Sequence, residues 1–111
     1  MTYMDSQGNI NCIAGDTFDL NLIDIKEDDV AIDFTDWKAS LKIKLNANSR
    51  NSEIKFTETT GIDLSETGAI RILIAAGDMD LKTGSYIYDL IFTRPDHSIE
   101  TWFNNKKFIV E

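Results

Sequence analysis

The sequence predicts an all-β fold, and three observations predict it. Short runs of alternating apolar and polar residues recur along the chain, polar turns separate them with glycine at several breaks, and helical periodicity is nearly absent. This pattern specifies an antiparallel sandwich or a barrel. The most informative run is Thr83-Gly84-Ser85-Tyr86-Ile87-Tyr88-Asp89-Leu90-Ile91-Phe92-Thr93, where a turn glycine opens an aromatic strand that Pro95-Asp96 closes.

Taken in order, residues 9–14 form the first expected strand. Gly15-Asp16 breaks it, and residues 17–25 form the second, with Phe18, Leu20 and Leu22 facing the core and Asp19 and Asn21 facing water. Lys26-Glu27-Asp28-Asp29 reads as a solvated charged turn, and residues 30–34 lead into the clearest alternation of the chain. There Trp37, Ala39, Leu41, Ile43 and Leu45 point one way, while Lys38, Ser40, Lys42 and Lys44 point the other, as in a half-buried strand. Residues 46–52 are small and polar and predict a mobile loop. Residues 53–59 resume a strand, a polar turn containing Ile62-Asp63-Leu64 lies between Gly61 and Gly68, and residues 69–75 follow. In that strand Leu73 opposes Ile70, Ile72 and Ile74, which predicts cover on both faces. Residues 76–82 suit one helical turn capped by Asp78. The aromatic strand, with Tyr86, Tyr88, Leu90 and Phe92 on one face, is expected at the centre of its sheet. Arg94-Pro95-Asp96-His97 turns the chain back through residues 98–103 and 107–110, which pair with it.

A length of 111 residues is that of one domain with one core, and no linker or repeat divides it. A net charge of −8 argues against a nucleic-acid partner, whose affinity rests on Lys and Arg displacing counterions. No apolar run approaches the length of a membrane helix, and Met1-Thr2-Tyr3-Met4-Asp5 lacks the basic start and apolar core of a signal peptide, so use without classical export is expected. Cys12 is the sole cysteine, which rules out an internal disulfide and an all-cysteine zinc site; flanked by Ile10, Ile13 and Ala14, it reads as a small core residue.

The order of several elements resembles a family of small β-sandwich domains in tailed-phage structural proteins, including the N-terminal domain of the baseplate upper protein. The resemblance is carried by Gly15-Asp16-Thr17-Phe18, Ile32-Asp33-Phe34-Thr35, Gly61-Ile62 with Gly68-Ala69-Ile70, Gly84-Ser85-Tyr86-Ile87-Tyr88-Asp89-Leu90, and Lys107-Phe108-Ile109-Val110. Each motif is weakly specific, and their order gives the resemblance its weight. It implies an all-β, immunoglobulin-like antiparallel sandwich of about seven to eight strands. It also implies a non-enzymatic virion subunit, made in the host bacterial cytoplasm, that fastens to other virion proteins without a cofactor. His97 stands where the family's hairpin usually has glycine. A free-standing sandwich, with no receptor-binding or fibre region after it, is the expectation, and it favours a capsid auxiliary or decoration subunit over a baseplate or tail adaptor. Self-association within the assembly is a further expected mode.

The candidate chemistry is sparse. His97, the sole histidine, sits among turn residues, so every histidine-based hydrolytic triad would depend on one loop imidazole. Asp78 and Asp80, with Asp63 and Glu66, offer oxygen donors for Ca²⁺, but the calcium-loop spacing is missing, and turn formation is the simpler expectation. The Lys38, Lys42 and Lys44 row reads as a solvated face that also suits an acidic neighbour. Trp102 shares a face with Glu100 and reads either as an exposed interface residue, with Phe103 packed inward, or as a ring that covers the second face of the sheet or fills the sandwich edge. Tyr3 and Met4 lie in residues 1–8, which read either as a frayed terminus or as an N-terminal arm that clamps a neighbour. Trp102, Glu100, Tyr3 and Met4 are the candidate partner contacts. The competing function is a carbohydrate-binding module built on Trp102, Tyr86 and Tyr88, and its requirement is that these rings form an exposed platform.

Overall fold

The computed structural model describes residues 2–46 and 54–111, and among these residues every regular element is a strand. In chain order these are β1 (Tyr3–Met4), β2 (Ile10–Cys12), β3 (Phe18–Leu22), β4 (Lys26–Glu27), β5 (Val30–Ala31) and β6 (Lys38–Lys44). They continue with β7 (Ile54–Thr57), β8 (Ile62–Asp63), β9 (Ile70–Ile74), β10 (Gly84–Thr93) and β11 (Ile99–Val110). Seven of them hold three or more residues, and the four others are two-residue pairings.

Three sheets result. The largest is six-stranded in the order β1-β2-β11-β10-β6-β7, the second is three-stranded in the order β3-β9-β8, and β4 and β5 form a two-stranded ribbon. The expected all-antiparallel pairing is corrected at one place, because β2 lies parallel to β11, with Phe108 opposite Ile10 and Val110 opposite Cys12. The inward side chains of the two larger sheets meet in one core, where Phe18 of β3 stacks on Phe108 of β11 with ring centroids 5.8 Å apart. Leu41, Ile43, Tyr88, Leu90 and Phe92 line it from one side, and Ile62, Ile70, Ile72 and Ile74 from the other. Central placement of β10 holds: it lies between β6 and β11.

Several local expectations are corrected. Lys26 and Glu27 are strand residues, and the turn is Asp28-Asp29 alone, both at positive φ (53° and 64°), as a tight two-residue hairpin requires. Ile62 and Asp63 are not turn residues but pair with Ile72 and Arg71. Leu45 continues the alternation but lies 55% exposed, and Leu73, on the face opposite Ile70, Ile72 and Ile74, lies 44% exposed, so β9 is covered on one face only. The chain at 75–79 closes through backbone bonds from the Asp78 and Met79 amides to the Ala75 carbonyl, without a helix and without a capping bond from the Asp78 carboxylate. Positions 47–52 of the expected loop lie outside the described residues. Cys12 is buried as expected, and burial pushes its thiol pKa up.

Residues 1–8 are not a free arm over their described part. Tyr3 pairs with Asn11 and Met4 with Ile10. The following turn is held by Asp5, whose carboxylate accepts the Gln7 and Asn9 amides at 2.9 Å and the Asn9 side-chain amide at 3.0 Å. Gly8 ends that turn at φ 87°, and its carbonyl accepts the hydroxyl of the fully buried Tyr88. A β-carbon at Gly8 would sit 2.7 Å from the Phe103 ring, so both conformation and space reserve the position for glycine.

Candidate functional site

The site is built by the two irregularities of β11. Opposite β10 the register runs Ile91–Thr101 and then Leu90–Phe103, so Trp102 is an inserted residue, a β-bulge. An extra residue resets a period of two, and Trp102 and Phe103 both turn toward the core. Trp102 packs on Phe92 at 4.3 Å, Phe34 at 6.1 Å and Trp37 at 6.4 Å, while Phe103 meets Tyr88 at 6.0 Å. Of the two readings of Trp102, the exposed one does not hold: the ring is a half-buried member of an aromatic cluster.

A second shift follows, since Tyr88 faces Lys106 and Leu90 faces Phe103, which sets two residues, Asn104 and Asn105, against Asp89. Asn105 adopts φ 52°, and its freed amide donates to the buried Asp89 carboxylate at 2.7 Å. Lys44 reaches the same carboxylate at 2.9 Å. Alternation along β10 sets Asp89 on the face opposite Tyr86, Tyr88, Leu90 and Phe92, and nothing in the sequence marks that a bulge in the facing strand needs an acceptor there.

Glu100 is an internal ligand. It accepts the Arg94 guanidinium at 2.6 Å and the Trp102 indole N–H at 3.1 Å, and Arg94 also reaches Glu27 at 2.6 Å while lying 4.6 Å above the Trp37 ring. This network fastens the β4–β5 ribbon to the β10–β11 hairpin. Its charge-assisted bonds, first from Arg94 and then from Trp102, hold the Glu100 carboxyl below its ordinary pKa. Asp19 is held low by Arg71, and Asp33 and Asp96 by Thr35 and Ser98. A carboxylate whose pKa is lower folded than unfolded stabilises the fold fully above the unfolded value, near 4, and loses that contribution as pH falls toward the folded one. Urea midpoints are expected to be flat from about pH 7 to 5 and to fall steeply below about pH 4. A midpoint that rises on acidification would contradict this assignment.

Tyr3, Met4, Trp102 and Phe103 converge. With Thr2, Asp5 and the β3 edge they line an open groove of about 610 Å³ between β1 and β3. Both strands are edge strands, and the exposed edge of each presents backbone donors and acceptors along the groove. Tyr3 is 51% exposed at its rim. Glu100 does not line it; it acts through Trp102. Sequence reading named Tyr3, Met4 and Trp102 separately and had no signal that nearly the full length of chain folds them into one place.

The remaining candidates stay apart. His97 occupies the turn at φ 71°, left-handed as a glycine would be, with its amide bonded to the Arg94 carbonyl at 2.9 Å. Among the described residues no three His, Cys, Asp or Glu side chains gather as a metal site. Asp63 instead accepts the Ser65 amide at 2.8 Å in a local turn. Tyr88 is buried, Tyr86 is half-buried with its hydroxyl on the Lys82 carbonyl at 2.8 Å, and one face of Trp102 is covered by Phe92, so the three rings form no exposed platform. No protein-family model, no curated protein and no solved structure matches this chain.

Proposed function

We propose that this chain is a non-enzymatic structural subunit of a tailed-phage virion, an auxiliary or decoration protein that docks onto the capsid by the groove between β1 and β3. The observation that carries the docking mode is that groove, where an exposed tyrosine, Met4 and two half-buried aromatics lie between two open strand edges. A partner segment seated there gains main-chain hydrogen bonds from an edge and apolar contact from the rings, the way extended peptides add to sheets. The virion assignment is supported by the order of motifs in the sequence. The finer fold description, an immunoglobulin-like sandwich, belongs to the same proposal and is supported by the single core shared by two facing sheets.

The test is mass spectrometry and electron microscopy of purified particles from the source phage. The chain is expected at a stoichiometric copy number with density on the capsid. Density at the tail would move the role to a baseplate or tail adaptor, and absence from particles would end the virion reading. Tyr3→Ser is the probe of the groove, because Tyr3 is exposed at the rim and Trp102 is not separable from the core. It is expected to reduce incorporation about tenfold or more with an unchanged melting temperature.

A further inference from the structure

The outer face of the six-stranded sheet is chemically unlike the rest of the molecule. Register places the outward residues in rows: Lys55, Lys42 and Asp89 in one, Lys44, Ile87 and Lys107 in the next, and Lys38, Thr93 and Ile99 at the far end. Five of the eight lysines therefore stand on one side of one sheet. Among the described residues of these rows the one carboxylate set against them is that of Asp89, which Lys44 and the Asn105 amide already occupy. These residues give the face a charge of +4, so a chain of net charge −8 carries −12 elsewhere.

That segregation has a local cost. Lys42 and Lys55 are direct cross-strand neighbours, and like charges in that relation destabilise a sheet. Among the described residues neither they nor Lys38 and Lys107 form an ion pair. Between the lysines run Ile87 and Ile91, half-buried, and Ile99, 71% exposed.

We propose that this face is a second docking surface, for an acidic protein segment that sets aliphatic side chains between its carboxylates. Charge complementarity selects an anion, and the isoleucine strip selects among anions. Arginine forks and stacking aromatics, which serve nucleic acid, are absent from these rows among the described residues, whereas lysine ammoniums around isoleucine suit carboxylates around leucine or valine. The surface is distinct from the β1–β3 groove, so the proposal stands or falls independently of the docking mode given above.

The experiment titrates the whole protein with a fluorescent peptide of repeated Glu-Leu-Glu units and, separately, with fluorescent random-sequence duplex DNA, at low and physiological salt. The peptide is expected to bind in a salt-dependent way, and the Lys42→Gln/Lys55→Gln variant to weaken it about fivefold to tenfold. The Lys26→Gln/Lys82→Gln variant, with the same change of charge elsewhere, is expected to leave binding unaltered. The first variant is also expected to melt no lower than the parent, since it relieves a like-charge pair. No peptide binding, equal weakening by both variants, or preference for DNA would overturn the proposal.

Discussion

Phe92→Ala is expected to lower the free energy of unfolding by about 4 kcal/mol, the range of a large ring deleted from a core that does not collapse around the void. Phe92 is fully buried and its ring touches three others, Trp102 at 4.3 Å, Trp37 at 6.1 Å and Phe34 at 6.3 Å. Its removal therefore loosens strand β10, the bulge of β11 and the segment before β6 together. For a domain whose whole stability is about 5–15 kcal/mol, that is a large share. Trp37 and Trp102 are the only two tryptophans, so intrinsic fluorescence reads the same cluster during urea unfolding. A loss below about 1 kcal/mol would mean that the rings repack and that the cluster does not organise this end of the core.

The second large effect belongs to Asp89. Its replacement by alanine strands the Asn105 amide and leaves Lys44 over a buried position without its counter-charge, which is expected to cost about 3 kcal/mol. Asp89→Asn keeps an acceptor for the amide and loses only the charge, so it is expected to cost about half as much. Chemical denaturation of both variants decides between the two roles. An asparagine as damaging as alanine would assign the effect to the ion pair alone and remove the bulge from the account.

These predictions rest on features that were unequally legible in the sequence. The bounds of β10 were readable because Gly84 and Pro95 punctuate an unbroken period of two, and Phe18, Leu20, Leu41, Ile43, Ile70, Ile72 and Ile74 were placed inside by alternation alone. Leu45 was misread because alternation persists beyond the area that the opposite layer covers, and Leu73 because an apolar residue on the outer face implies a cover that the fold does not supply. The two-residue strands at Lys26 and Ile62 have no local signature, since partners distant in space define them. Trp102 was left open between exposure and packing because one inserted residue inverts every assignment past it, and nothing in the run Thr101-Trp102-Phe103 marks the insertion. Of the groove, the sequence supplied the residues and the fold supplied the convergence.

The parallel pairing of β2 with β11 determines how this molecule bears tension. Tyr3, Asn11 and Ile109 lie in one row, so a pull applied through Thr2 and Glu111 acts at the same end of the sheet and peels β1 away one pair at a time. Once β1 is gone, the load passes along β2 and β11 in opposite directions. The pairs Ile10–Phe108, Asn11–Ile109 and Cys12–Val110 are then sheared together and share the force. The fold is thus a two-stage latch, with a soft first stage that dismantles the groove and a stiff second stage that keeps the core closed.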